Sequence, residues 1–292
     1  MADRNERIKI AAEAVEISKK GKYTSEQGKN VSFDASLDTE FWDAKELETL
    51  SEKLTAIGSA EGAVAADQNV GGNPAAPAGS SPSARPSINC VDEDVVATVL
   101  RLAEESMDMS RVGVLNFASA RHAGGGFLNG AMAQEEAIAY CSNLYVNQIV
   151  TPYYDQNAKV RSAMYTDHMI WSGITFFRDS KYRFLEKPVK TNVLTSPAVN
   201  MGQVRIKGEN EDIAKRVMKH RMGLVLDLFA EKGCKTIVLG AFGCGVFQND
   251  PDDVAKNWID LIGEKGHHFD QIIMTVLDKP GFSNYKVFKK YF

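Results

Sequence analysis

Two short apolar runs, Val112 to Ala118 and Lys235 to Ala241, each end in a glycine-rich turn and are each followed by a segment with helical character. A buried strand that ends in glycines ahead of a helix restricts the chain to few architectures, because strands alternating with helices assemble a sheet covered on both faces. The surrounding pattern agrees. Asn192 to Val199 reads as a strand, and Asn210 to Lys232 as a helix with Ile213, Val217, Leu224 and Leu228 on one face. Asn249-Asp250-Pro251 opens another helix, with Asp250 as N-cap, Pro251 at the first helical position, and Asp252 and Asp253 in the first turn. Asp270 to Leu277 supplies a further strand. The expected fold is α/β: a three-layer domain with a central mixed sheet over residues 89–292.

Ahead of that domain the pattern changes. Residues 6–20 carry Ile8, Ala11, Ala12 and Val15 at helical spacing with Gly21 as a stop, and a second charged helical segment falls near 43–57. We expect residues 1–58 to form a small N-terminal helical lobe. From Ser59 to Ser87 small residues, Gly and Pro dominate, with too little apolar surface to offset chain entropy, so 59–88 reads as a disordered insert or linker. Helical spacing resumes at Val91, Val95, Val99, Leu102 and Ser106.

The first glycine turn belongs to HAGGGFLNGAMAQEEAIAY, His122 to Tyr140. Three consecutive glycines cost chain entropy and supply no packing, which points to backbone that must approach something closely. Glycine N–H groups ahead of a helix are a common phosphate cradle, and the second turn, GAFGCGVFQND, has the same character. Neither matches a familiar nucleotide motif. GxGxxG would need glycine at Asn129 or Gln248, and the Walker-like pair Gly125 and Gly130 is followed by Ala131-Met132 where Lys-Ser/Thr belongs.

Glu135 and Glu136 stand side by side at a helix start. One explanation is the macrodipole, worth about 0.3–1 kcal/mol for each carboxylate. The other is chemical: two neighbouring carboxylates in unequal environments let one stay ionised while raising the proton affinity of its partner. Cys244 has no histidine beside it and reads as a small residue fitted to a tight loop rather than a nucleophile. His122 is a candidate phosphate contact, the alternative being a surface or packing role.

Composition removes several classes of function. A formal charge of −4 over 292 residues, without a run of Lys and Arg, speaks against direct nucleic-acid binding. No segment offers about 18 consecutive apolar residues, and the charged opening MADRNERIKI lacks a signal-peptide core. The expected location is cytoplasmic or nuclear, with no membrane contact. Cys90, Cys141, Cys234 and Cys244 form no CxxC, and the histidines form no HxxxH, so we expect reduced thiols, no metal and no cofactor.

These residues together resemble the microbial type of poly(ADP-ribose) glycohydrolase, which is built on an ADP-ribose-binding macrodomain. The resemblance rests on GGG, a short spacer and QEE, with GAFGCGVF further on. RIKIAAEAVEISKKGKYTSEQGKNVSF, NFASARHAGGGF, YTDHMIWSGITFFRD and VLTSPAVN follow in the family's order. It implies a glycoside hydrolase that releases ADP-ribose from poly(ADP-ribose), its partners being the polymer or ADP-ribosylated proteins. By the same resemblance Glu136 is the catalytic acid/base and Glu135, beside Gln134, helps hold a ribose hydroxyl. Gly124, Gly125 and Gly126, and the loop of Gly243, Cys244, Gly245, Val246 and Phe247, embrace the diphosphate. Phe247 packs on the distal ribose, and Asn116 stands where macrodomains place a ribose-binding asparagine. Phe242, where tryptophan is common, and Gln248, where glycine is frequent, depart from the pattern. The C-terminal GFSNYKVFKKYF offers Phe282, Tyr285 and Phe288 as adenine platforms, with Phe282 taken as the substrate contact. A hydrolase acting on mono-ADP-ribosylated protein or a small ester, and a non-catalytic ADP-ribose reader, remain as alternatives; the intact QEE favours an enzyme.

Overall fold

The computed structural model describes residues 2–67, 85–278, 281 and 283–292, with side chains not described over 58–67. The chain begins with α1 (Arg4–Lys20), β1 (Lys22–Thr24), β2 (Asn30–Ser32), β3 (Thr39–Trp42) and α2 (Ala44–Asp67). Then come β4 (Ser87–Val91), α3 (Val95–Glu104), β5 (Val112–Ala118), α4 (Gln134–Cys141), α5 (Leu144–Gln148) and α6 (Tyr153–Lys159). β6 (Met169–Arg178), β7 (Phe184–Pro197), α7 (Met201–Ile206), α8 (Glu211–Glu231), β8 (Thr236–Leu239), α9 (Pro251–Lys265), β9 (Gln271–Thr275) and α10 (Asn284–Phe288) complete it.

Seven strands form one mixed sheet in the order β3-β6-β7-β5-β8-β9-β4. β3 and β6, and β6 and β7, run antiparallel. From β7 to β4 every pair is parallel. The alternation of side chains along each strand divides the core in two. Leu115, Leu194, Ile237, Leu239, Ile272 and Met274 join the cluster containing residues of α2, α7, α8 and α9. Val112, Val114, Val193, Val238 and Ile273 face the opposite way, onto residues of α1, α3 and α4. This is the expected three-layer α/β arrangement.

Caps fix the helix starts where sequence chemistry placed them. Asp250 accepts from the N–H groups of Asp252 and Asp253 at the head of α9, Asn210 accepts from Ile213 N at α8, and Gly21 ends α1 with φ 63°. Other expectations give way. Val91 closes β4, and Asp94 caps α3, whose buried face is Val95, Val96, Thr98, Val99 and Leu102. In α8 the inward positions include Ala214, Met218 and Met222, while Ile213 is exposed.

The N-terminal segment opens with the expected helix, α1, and also contributes a strand to the main sheet. β3 pairs with β6 from Thr39↔Ser172 to Trp42↔Met169, which makes it the edge strand of the main sheet. α1 packs on α4 and on the turn at Phe127–Asn129. β3 is only four residues long, with two polar and two aromatic side chains, which is why a search for apolar runs passes over it. The expected insert also begins later than its composition indicates, since α2 continues as a helix to Asp67. Most of the remainder of 59–88 lies outside the described residues. Among the described residues, no helix is long and apolar enough to cross a membrane.

Candidate active site

β5 and β8 are parallel neighbours through Val112↔Thr236, Gly113↔Ile237 and Val114↔Val238. The glycine loops that follow them therefore leave the sheet at the same end, from adjacent strand tips, where open α/β sheets place their ligands. Phe117, near the tip of β5, meets Phe242 of the second loop with ring centroids 5.4 Å apart.

Beyond Val114, β8 no longer pairs with β5, which leaves backbone groups on that edge of β5 open. Gln134, the first residue of α4, fills the place. Its Oε1 accepts from Phe117 N at 2.8 Å and its Nε2 donates to Leu115 O at 2.7 Å. Both ends of the amide are thus bound to backbone, so Gln134 fixes the head of α4 against the sheet.

That attachment puts both carboxylates inside the protein. Glu135 is 3% exposed and Glu136 is 8% exposed, so neither serves the helix as a solvated first-turn charge. Glu135 Oε2 accepts from Ser119 N at 2.7 Å, and its Oε1 accepts from Gln148 Nε2 at 2.9 Å and from Asn116 Nδ2 at 3.3 Å. Burial pushes the Glu135 carboxyl up to about 8; the donors from Ser119, Gln148 and Asn116 pull the other way, and the Glu136 charge adds to the rise. Glu136 is held differently. Its Oε1 accepts from Gly126 N at 2.8 Å, and its Oε2 has no protein partner among the described residues.

The triple glycine has three separate reasons to be glycine. A Cβ on Gly124, at φ 63°, would lie 2.6 Å from the Phe127 ring. One on Gly125, at φ 61°, would strike Glu136 Oε1 and stand 3.1 Å from Glu135 Oε2. One on Gly126 would lie 2.8 Å from Ala131 Cβ. The N–H groups are all engaged inward: Gly124 N on Gln148 Oε1 (2.7 Å), Gly125 N on His122 O (3.0 Å), Gly126 N on Glu136. The three N–H groups expected to face a diphosphate thus each have an acceptor within the protein: a side-chain amide, a backbone carbonyl and a carboxylate. The far end of the loop is clamped by α1: Arg4 Nε donates to Asn129 O and Arg7 Nε to Gly130 O, while the Tyr140 hydroxyl reaches Ala131 O at 2.8 Å.

The second loop has the opposite character. Asn249 closes it, donating from Nδ2 to Val199 O and Gly243 O, and Gly202 N donates to Phe247 O. Gly243 needs φ 74°, and a Cβ there would press on Asn249 and Ala198. The N–H groups of Gly243, Gly245, Val246 and Phe247 have no acceptor among the described residues. A Cβ on Gly245 would meet nothing within 4 Å, and Val246 is 83% exposed. Phe247 is partly buried, its ring 6.2 Å from that of Tyr165. Gln248 sits at φ 57°, which accounts for glycine being frequent at that position.

The remaining candidates separate clearly. Asn116 is fully buried, with Nδ2 on Glu135 and on Thr195 Oγ1 at 3.2 Å, and with Oδ1 unpartnered. The Cys244 thiol is buried, and burial holds it in the protonated form. His122 is exposed. Tyr285 and Phe288 pack into the larger core cluster, and Phe282 lies outside the described residues. Among the described residues no group of three His, Cys, Asp or Glu side chains is placed to hold a metal ion. The residue that sequence reasoning missed is Gln148, which touches both Gly124 and Glu135; its mark in the sequence is the polar pair Asn147-Gln148 within an otherwise apolar run from Leu144 to Val150.

The chain was compared with known proteins. No curated protein sequence matches it. The family described as microbial-type PARG, catalytic domain, matches residues 11–179. Among solved structures, poly(ADP-ribose) glycohydrolase from Thermomonospora curvata is 33% identical, with a TM-score of 0.84 over 99% of this chain and 100% of that one. The same protein bound to the inhibitor ADP-HPD gives 32% identity and a TM-score of 0.82, with the same coverage. Poly(ADP-ribose) glycohydrolase from Deinococcus radiodurans, in complex with ADP-ribose, is 32% identical with a TM-score of 0.73 over 87% of this chain and 93% of that one. With its family match spanning the first glycine loop and both glutamates, and its structural likeness extending through the second loop, the chain belongs to the microbial-type poly(ADP-ribose) glycohydrolase family.

Proposed function

We propose that this chain hydrolyses the ribose–ribose O-glycosidic bond of poly(ADP-ribose) and releases ADP-ribose, with Glu136 as general acid and then general base. The observation that carries the assignment is the inequality of the two carboxylates. Both oxygens of Glu135 already accept hydrogen bonds, whereas Glu136 has one oxygen tied to Gly126 N and the other open.

The chemistry follows from that geometry. Most glycosidases flank the scissile bond with two separated carboxylates. Consecutive residues on one helical turn cannot do so, and a single group must therefore act twice. Glu136 Oε2 gives its proton to the departing ribose oxygen as the glycosidic C–O bond breaks. The sugar left behind has oxocarbenium character, and water adds to its anomeric carbon while passing a proton back to Glu136. Glu135 orients the sugar: its Oε2, with one N–H bound, retains a lone pair for a ribose hydroxyl. The unpartnered N–H groups of Gly243, Gly245, Val246 and Phe247 hold the diphosphate, whose charge near the sugar favours the cationic transition state. Phe247 packs on the distal ribose, and the orphaned Asn116 Oδ1 accepts from a ribose hydroxyl. The ligand class is ADP-ribose, in polymer or attached to protein.

The test is to incubate the purified protein with labelled poly(ADP-ribose) and, separately, with mono-ADP-ribosylated protein. Release of free ADP-ribose from the polymer is expected. Release from the mono-ADP-ribosylated protein alone would transfer the assignment to that substrate, and binding without release from either would make the chain a reader.

A further inference from the structure

We propose that Gln148 is a positioning residue for the carboxylate pair: its side-chain amide, oriented by the Gly124 N–H, keeps a hydrogen-bond donor permanently aimed at Glu135. The inference rests on the reading of Glu135 as a substrate-orienting carboxylate.

The orientation of this amide follows from donor chemistry. A backbone N–H can only donate, so the Gln148 atom 2.7 Å from Gly124 N must be its oxygen. The nitrogen is then forced toward Glu135 Oε1, at 2.9 Å. Gln148 is fully buried at the end of α5, with no water-facing alternative for either end of the amide. Asn116, the other amide on Glu135, has no such constraint. Its second partner is the Thr195 hydroxyl, which can donate or accept, and its Oδ1 is unpartnered. Asn116 is therefore held at one end of its amide, whereas Gln148 is held at both.

A fixed donor matters because little else favours charge on Glu135. The groups facing it are the Glu136 carboxylate from α4 and the Tyr153 and Tyr154 phenols from α6, which are themselves held neutral by burial; no cation is among them. Burial and Glu136 both oppose ionisation, and the opposing donors are Ser119 N, Gln148 and the longer bond from Asn116. Gln148 thus links the shape of the glycine loop to the charge of the carboxylate beneath it: Gly124 at φ 63° sets the amide, and the amide sets Glu135.

Two variants with opposite signatures test this. Gln148→Met removes the donor while keeping side-chain length, so Glu135 should accept a proton more readily and the acidic limb of the hydrolysis profile should move up by about one to two pH units. Much of the lost kcat should return at higher pH. In Gln148→Glu the introduced carboxyl still accepts from Gly124 N and, while protonated, still donates to Glu135. Its ionisation should pull the alkaline limb down instead. The Glu135 carboxyl titration, followed by carbon NMR in glutamate-labelled protein, gives the same answer without any substrate; its midpoint should rise in Gln148→Met. A uniform loss of rate with both limbs in place, or an unmoved Glu135 midpoint, would overturn the proposal. If Gln148→Met does not fold, Gln148→Glu decides alone. Failure of the parent protein to release ADP-ribose from polymer would count against the proposed reaction, while the NMR titration would still judge Gln148.

Discussion

The two glycine loops look alike as sequence and do opposite things. The first, at Gly124–Gly126, turns its N–H groups inward onto Gln148, His122 and Glu136, and any added Cβ would collide with its own neighbours. The second, at Gly243–Phe247, leaves four N–H groups without an acceptor among the described residues and has open space at Gly245. Glycine richness therefore signals close approach in both places without naming what approaches. In the first loop it is the protein itself, Phe127, the two carboxylates and Ala131, whereas in the second Asn249 and Ala198 crowd Gly243 and nothing of the described protein lies within 4 Å of a Cβ at Gly245. The difference teaches that a loop closed around the protein's own side chains and a loop left open can share a composition, and only the acceptors around them tell the two apart.

The largest expected effect lies at the carboxylate that the first loop holds. Glu136→Gln keeps an oxygen for Gly126 N–H but cannot transfer a proton, so turnover should drop by about 10²-fold or more. ADP-ribose should still bind, since the second loop is untouched. Single-turnover hydrolysis alongside calorimetry checks both halves, and near-parental turnover would remove Glu136 from the mechanism.

Next comes the first loop's backbone. Gly125→Ala forces a side chain into the left-handed region at φ 61° and drives its methyl into Glu136. We expect a stability loss of about 1–3 kcal/mol, together with loss of hydrolysis in the fraction that stays folded. A variant with the parent's melting temperature and rate would show that the loop is looser than its contacts indicate.

Local chemistry made part of this legible in the sequence. β5, β8 and α9 announce themselves through apolar runs, glycine turns and the Asp250-Pro251 cap, because the forces that define them act over a few residues. β6 is buried at all ten positions and shows no alternation, so period-two reading finds nothing. β4 is a five-residue strand whose partner, β9, lies far along the chain, and its last residue, Val91, happens to be in step with the helix that follows. Within the site, the paired glutamates and both glycine loops were visible. The inward engagement of the first loop was not, because it depends on Gln148 and on the clamp from Arg4 and Arg7, which reach the loop only after the chain has folded. Gln134 shows the same limit: its bonds to Phe117 N and Leu115 O depend on the open edge of β5, which no local pattern around the two glutamates announces.

Burying carboxylates under the first loop also makes stability depend on pH. Glu135 has an ordinary value of 4.5 and is pushed up to about 8 by burial. Between those values the native state binds more protons at this site than the unfolded chain does, so its contribution, complete below the lower value, is lost as pH rises toward the upper one. Denaturant unfolding at pH 5 and pH 9 should show the parent losing more stability than Glu135→Gln, which cannot titrate. Parallel losses in the two proteins would mean that Glu135 ionises freely in the folded state.

The smallest change, and the most direct probe of the contrast, is Gly245→Ala. In the first loop a methyl cannot be added without disturbing the fold, which confounds any effect on binding. Gly245 escapes that problem, since its Cβ position is empty to 4 Å and its backbone is not left-handed. Stability should stay within about 0.5 kcal/mol of the parent. If the N–H groups around Gly245 receive a diphosphate, the methyl stands in its path, and losing hydrogen bonds worth about 1 kcal/mol weakens ADP-ribose about fivefold. AMP and ribose-5-phosphate, with one phosphate each, should bind the parent less well than ADP-ribose and respond less to the substitution. Melting temperature and calorimetric affinity measured on one preparation separate the possibilities. Unchanged affinity in a stable Gly245→Ala protein would mean that the second loop's free N–H groups face solvent only, and the division of labour between the loops would fail at its ligand-binding half while the carboxylate cradle stood.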